Sequence, residues 1–323
     1  MPHATWSCTF VSAGSQGLSR EDPGEVPALA WAALLPLPVR TRGPGKGYVA
    51  AGHRVDVSSV ELSPLPDLTG RTALVTGASR GIGRAVAVDL VVAGAVVALV
   101  ARSSRQLAET LVEIEAEKGA AAAFVRDLAD VKAAASVLQN VERELGPVDI
   151  LINNAATVAP LGPTQSVEPA EIEHSLRLNL ISPVVLGTSA IPGMRQRGWG
   201  RIVNVSSGVV ASPSGMIGAN TYTFSKAALE SHTVNLAAEL EGSGVTANIY
   251  RPGRVDTSMQ EWIRGQVPRL VGGGLVERFR SFHESGALIT PRASARSLVV
   301  RLTSNETGRV WDVADELTKS PSS

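Results

Sequence analysis

The sequence predicts an α/β protein built on a doubly wound parallel sheet, and three observations carry that expectation. Apolar, β-rich runs at 72–76, 96–101, 122–126, 149–152, 201–205 and 245–250 alternate with helix-like stretches. Strands separated by helices argue a parallel sheet covered on both faces. A glycine-rich turn stands between the first run and a helical run from Arg84 to Ala93. With 44% hydrophobic residues in 323 positions the chain can also bury a sizeable core, and no internal repeat divides it.

Residues 1–66 differ from the rest. They carry eight prolines and seven glycines and no sustained period of either kind, so a disordered N-terminal extension is expected there. Its apolar stretch from Val26 to Val39 is broken by Pro27, Pro36 and Pro38, and is too short to span a bilayer. Glu21, Asp22 and Glu25 precede it, which is the wrong flank for a secretory signal. Arg20, Arg40 and Arg42 keep organelle targeting open beside a cytoplasmic location. A single domain follows at 67–315, with 316–323 as a tail.

Composition excludes several function classes. Lysine plus arginine and aspartate plus glutamate number 30 each, so nothing points to nucleic acid or an anionic membrane surface. Cys8 is the lone cysteine, which leaves no internal disulfide and no cysteine-based zinc site, and fits a reducing compartment. The five histidines show no metal-ligand spacing, so no metal is expected.

Within the domain, Ala73-Leu74-Val75-Thr76 reads as a buried strand, followed by Gly77-Ala78-Ser79-Arg80-Gly81-Ile82-Gly83. Glycine at 77 allows a tight turn, and glycines at 81 and 83 let backbone and helix approach a pyrophosphate. The helix N-terminus then offers amide donors and a positive dipole to phosphate. This is the signature of a Rossmann-type dinucleotide fold. An NAD-binding chain wants a carboxylate at the end of the second strand for the ribose 2′-OH. Here the strand ends in Ala101-Arg102-Ser103. Arg102, with Arg80 in the loop, can instead pair with a 2′-phosphate, which predicts NADP(H).

Further along, Tyr222 and Lys226 stand four residues apart on a helical run to Leu240, so they share a face. Three tyrosines and five lysines in 323 residues give about 0.05 such pairs by chance. An ammonium beside a phenol favours the phenolate and is expected to lower its pKa, which suits proton transfer near neutral pH.

Taken in order, these features resemble the short-chain dehydrogenase/reductase family over roughly Leu68 to Val313. The cofactor motif is Thr76-Gly77-x-x-x-Gly81-x-Gly83. Asp127-Leu128 matches the pair placed beside the adenine. Asn153-Asn154-Ala155-Ala156 matches the Asn-Asn-Ala-Gly motif with alanine at its last position. Arg251-Pro252-Gly253-x-Val255-x-Thr257 matches the segment that contacts the nicotinamide. The resemblance implies Asn179, Ser207, Tyr222 and Lys226 as catalytic residues. It implies Gly77, Ser79, Arg80, Gly81, Ile82, Gly83, Arg102, Asp127, Leu128, Asn154, Ala155, Tyr222, Lys226, Pro252, Gly253, Val255 and Thr257 as cofactor contacts. Ser207 precedes Tyr222 by 15 residues, which enlarges the loop 208–221 slightly.

What the resemblance implies is NADPH-dependent reduction of a small-molecule ketone or diketone, with Tyr222 as general acid, Ser207 on the carbonyl oxygen and Asn179 holding a relay water. Two alternatives stand beside it, an alcohol dehydrogenase working in the oxidative direction and a non-catalytic NADP-binding sensor. Val255-Asp256-Thr257-Ser258-Met259-Gln260 is similar to the sepiapterin- and benzil-reductase branch. Residues 257–290 should form a lid with apolar positions Met259, Trp262, Val267, Leu270, Phe279 and Phe282, hinged at Gly272-Gly273-Gly274. A homodimer or homotetramer is expected, with the helix from Tyr222 offering an apolar stripe.

Overall fold

A computed structural model describes residues 63–317. Seven strands form one sheet: β1 (Thr72–Thr76), β2 (Val96–Ala101), β3 (Ala121–Val125), β4 (Ile150–Asn153), β5 (Gly200–Val205), β6 (Val245–Arg251) and β7 (Val310–Asp312). Their order is β3-β2-β1-β4-β5-β6-β7, and every neighbouring pair is parallel. The order reverses between β1 and β4, and such a switch point opens a crevice at the carboxyl ends of the strands.

The helices are α1 (Gly81–Val92), α2 (Ser104–Ala116), α3 (Val131–Leu145), α4 (Pro169–Leu176), α5 (Ser182–Arg197) and α6 (Asn220–Glu239). After β6 come α7 (Ser258–Arg264), α8 (Pro268–Val271), α9 (Leu275–Glu284) and α10 (Pro291–Val299). The sheet is buried on both faces because side chains alternate along each strand. Ala73 and Val75 join Leu90 of α1 and Leu298 of α10 in one cluster. Leu74 joins Val137 of α3, Leu186 of α5 and Leu236 of α6 in the other. A fully buried leucine such as Leu151 contributes about 1.5–3 kcal/mol through that burial. Asp89 of α1, 1% exposed, pairs with Arg296 of α10 at 3.1 Å and ties two helices of one face together.

Two local features bear on the residues expected to be functional. α4 and α5 are joined by a π-helical turn, Arg177–Ile181, that holds Asn179 fully buried; π turns widen the helix and redirect a side chain. The 208–221 loop is compact, folding into 3₁₀ turns at Gly208–Ala211 and Pro213–Met216. The first helix starts at Gly81, earlier than the run at Arg84 indicates, because the glycine turn leads directly into it. The expected extension over 1–66 lies outside the described residues up to residue 62. Residues 63–66 are described, and Leu65 packs against the first cluster. Of the expected tail, residues 318–323 also lie outside.

Candidate active site

At the carboxyl ends of the strands lies a cavity of about 590 Å³. Gly77, Ser79, Arg80, Gly81, Ile82, Arg102, Leu128, Asn154, Ala155, Ser207, Tyr222, Lys226, Pro252, Gly253, Val255 and Thr257 all line it. Three residues of the expected set do not. Gly83 stands behind the loop, Asp127 accepts from the Ala129 amide at 3.0 Å, and Asn179 is enclosed beneath. Arg126 also lines the cavity beside Arg80 and Arg102, and the sequence reading did not single it out. Its place next to Asp127-Leu128 was the available signal. Among the described residues, no carboxylate lines the cavity.

The glycine turn is held by close approach. Gly77 has φ +66°, and a Cβ there would meet Asn154 Nδ2 at 2.8 Å. A Cβ on Gly83 would meet the Gly77 carbonyl oxygen at 2.2 Å. Asn154 completes the turn, with Nδ2 donating to Thr76 O at 3.0 Å while its amide donates to Thr76 Oγ1 at 2.9 Å. The amides at the start of α1 therefore face the cavity with no side-chain cap on them.

Tyr222 and Lys226 share one face of α6 and are 8% and 2% exposed. Lys226 Nζ lies 5.9 Å from the Tyr222 ring centroid and donates to Val205 O at 2.7 Å. The sequence reading expected the lysine to lower the phenol pKa. In the structure burial is the larger effect and holds Tyr222 above its usual value, while a hydrogen bond with Ser207 acts the other way. Burial also pulls Lys226 down to about 8, with the Glu230 charge opposing it. The sequence could not show this, because Ile263 and Phe279, which join the tyrosine in one buried cluster, come from segments about 40 and 57 residues further along the chain.

Asn179 spends its side-chain amide on protein. Oδ1 accepts from the Thr157 amide at 2.8 Å, and Nδ2 donates to Thr157 O at 2.8 Å and to Ser225 Oγ at 3.1 Å. It thereby fixes the loop after β4 to the turn between Tyr222 and Lys226.

The segment 257–290, expected as a lid, packs against the residues around Tyr222. Val158, Met216, Ile263, Val271, Leu275 and Phe279 form a third apolar cluster that includes Tyr222 itself. Arg278 Nη1 donates to Gly215 O, joining α9 to the 213–216 turn. The triplet Gly272-Gly273-Gly274, read from sequence as a hinge, is a turn of positive φ seated on Ile217.

Among the described residues no helix is long and apolar enough to cross a membrane. None of their histidine, cysteine and carboxylate side chains group in threes to hold a metal ion.

Comparison with known proteins gives concordant matches. The family model for short chain dehydrogenase matches residues 71–267. A short chain dehydrogenase of Pseudocercospora fijiensis is 41% identical over 195 residues, covering 59% of this chain and 62% of that protein's own length. Ketoacyl reductase HetN of a Nostoc species is 34% identical over 254 residues, covering 78% and 82%. The solved 3-oxoacyl-(acyl-carrier-protein) reductase of Agrobacterium tumefaciens, with NADP bound, superposes with a TM-score of 0.64 at 32% identity, covering 76% and 93%.

Proposed function

This chain belongs to the short chain dehydrogenase family of oxidoreductases, and from that premise we propose that it reduces a ketone or diketone with NADPH, Tyr222 serving as general acid. The observation that carries the reading is the convergence of Ser207, Tyr222 and Lys226 on one cavity whose opposite end holds arginines and no acid.

The residues present fit an NADP(H) cofactor. The glycine turn and the uncapped start of α1 suit a pyrophosphate. Arg80, Arg102 and Arg126 suit a 2′-phosphate, with no carboxylate to repel it. Pro252, Gly253, Val255 and Thr257 line the other side of the cavity, where a nicotinamide would lie. The NADP-bound relative supports the same choice. NADPH would supply the hydride to the carbonyl carbon.

The chain's own groups would do the rest. Tyr222 holds a proton for the carbonyl oxygen, and its burial keeps that proton in place at neutral pH. Ser207 hydrogen-bonds the same oxygen and stabilises the charge that develops there. Lys226 supplies a cation beneath the phenol and stands where it can bind ribose hydroxyls. Asn179 acts through the loop and helix turn it joins. Its side chain is already committed, so a relay water would have to be met by its backbone carbonyl.

The substrate end of the cavity is lined by Val158, Val209, Met216, Met259, Ile263 and Phe279, which favours a compact apolar or aromatic carbonyl compound. Phe224 and Val234, exposed at 39% and 50% on α6, support a homo-oligomer formed on that face.

The test is NADPH oxidation against ketones, diketones and quinones, with NADH as control. Tyr222→Phe should lower kcat by roughly 10²-fold or more. A Tyr222→Phe protein as fast as the parent would show the assignment to be wrong. A parent that turns over none of the panel would favour a sensor.

A further inference from the structure

Three side chains that this chemistry leaves unused meet behind the site. Glu230 lies one helical turn beyond Lys226, as Lys226 lies one turn beyond Tyr222, so all three share a face of α6. Glu230 Oε1 accepts from the Ser206 hydroxyl at 2.6 Å and from Arg251 Nε at 2.9 Å. Its Oε2 accepts from Arg251 Nη2 at 2.7 Å, which makes the arginine contact bidentate. Glu230 is 8% exposed, and a side chain that deep is costly to bury without such hydrogen-bond partners.

What matters is where each partner is attached. Ser206 sits at the end of β5, immediately before Ser207, and its amide donates to Tyr250 O of β6 at 2.7 Å. Arg251 ends β6, immediately before Pro252-Gly253. Lys226 donates to the carbonyl of Val205, the residue before Ser206. One carboxylate thus joins the chain segments that present the serine, the lysine and the Pro-Gly turn. A buried ion pair is no better a source of stability than apolar packing of the same volume, so its place beside these three groups calls for another explanation.

We infer that Glu230 is a positioning residue for carbonyl reduction: clamped by Arg251, its carboxylate fixes the end of β5 that carries Ser207 and sets the negative charge that faces Lys226. This rests on the reductase reading above.

Asp312 of β7, in register with Arg251, also acts on that guanidinium, but Glu230 is the carboxylate hydrogen-bonded to it. From β6 it is faced by Arg251, from β5 by the neutral Ser206, and from its own helix by Lys226. α4 and the 177–181 turn also pack on α6. They present Ser175 and Asn179 inward, while Glu173 and Arg177 pair with each other at the surface. The 3₁₀ turns 208–211 and 213–216 carry no charged residue. Burial draws Lys226 down to about 8 and the Glu230 charge works against it. With that charge removed burial acts unopposed, and Lys226 gives up its proton at lower pH.

The test compares the full-length parent with Glu230→Gln and with Glu230→Gln/Arg251→Gln. The single variant keeps the shape and removes the charge. The double variant leaves no guanidinium unpaired, and it answers the question if the single variant does not fold. Two measurements are made on each: the pH dependence of kcat for NADPH-driven reduction, and the titration of Lys226 by NMR with 13Cε-labelled lysine. The chain has five lysines, and Lys226→Arg assigns the resonance.

The expected result is a kcat lowered roughly tenfold with KM for the carbonyl changed less than about twofold, as befits groups that act in the transition state. The alkaline limb of kcat and the Lys226 titration should both move to lower pH. If the parent is active and the variants keep its alkaline limb and its Lys226 titration, this inference falls alone, even where kcat drops, since that drop would be structural. If the parent reduces no carbonyl compound, the reductase reading falls and takes this role with it.

Discussion

Replacing Lys226 by methionine should leave the protein about as stable near neutral pH while removing its activity. The ammonium is 2% exposed, and burial brings its pKa from 10.5 to about 8. At ~1.4 kcal/mol per unit, the charged form is destabilising by about 3 kcal/mol. Methionine removes that cost but leaves Val205 O without its donor, a loss of about 1–3 kcal/mol. The two nearly cancel at neutral pH, and the informative quantity is how their difference changes with pH. Below about 8 folded and unfolded parent both hold the proton, so the cost is fully present. Between about 8 and 10.5 the unfolded chain binds the proton and the folded one does not, so the parent gains stability as pH rises. Above 10.5 neither state holds it and the cost is gone. The methionine variant has no such titration. Its stability relative to the parent should therefore fall by about 3 kcal/mol across that window. Urea unfolding of both proteins at a series of pH values measures this. Trp199, stacked between Arg71 and Arg201, and the buried Trp311 serve as fluorescent reporters. A stability difference that stays constant through the window would refute the argument that Lys226 is destabilised by burial.

Two further outcomes follow from the cofactor end of the cavity. Gly83→Ala drives a methyl to within 2.2 Å of Gly77 O and 2.5 Å of Asn154 Nδ2, so it should cost about 1–3 kcal/mol in overpacking. It should also weaken NADPH binding about tenfold, by displacing the turn that α1 springs from; thermal melting and fluorescence titration check both, and parent-like values in the two assays would contradict the turn's role. Arg102→Glu should raise KM for NADPH by roughly 10-fold or more and leave NADH unharmed or improved, since it sets a carboxylate where a 2′-phosphate would lie. Equal losses with the two cofactors would place Arg102 elsewhere in the binding mode.

The strands were legible because the central ones are buried on both faces and so read as apolar runs, as in Ile150-Leu151-Ile152 of β4. β7 has only three residues, one of them exposed, and left too little pattern of its own. The Tyr222–Lys226 pair was legible because it lies within one helix and obeys that helix's period. Its electrostatics were not, because they depend on depth, and depth is set in good part by residues 263 and 279 arriving from elsewhere. Glu230 repeats the four-residue spacing once more and could have been noticed. What it does depends on Arg251, which reaches it from another strand. The lid triplet Gly272-Gly273-Gly274 looked like a loose joint by composition, yet Ile217 supplies a seat for it that no local reading contains.

The third apolar cluster has a consequence for anyone altering this protein. Tyr222 shares it with Ile263 and Phe279, which also line the cavity, so on the proposed reading the wall that would select the substrate would also be the medium in which the phenol ionises. Under the proposed function, choice of substrate and acid strength would thus be set by the same side chains. A smaller residue at 263 or 279, introduced to admit a bulkier ketone, lets water nearer the phenol and brings its pKa down towards the ordinary value. Redesigned substrate range and shifted pH optimum should therefore travel together, and a library screened at one pH would discard variants whose pocket fits but whose acid has been retuned.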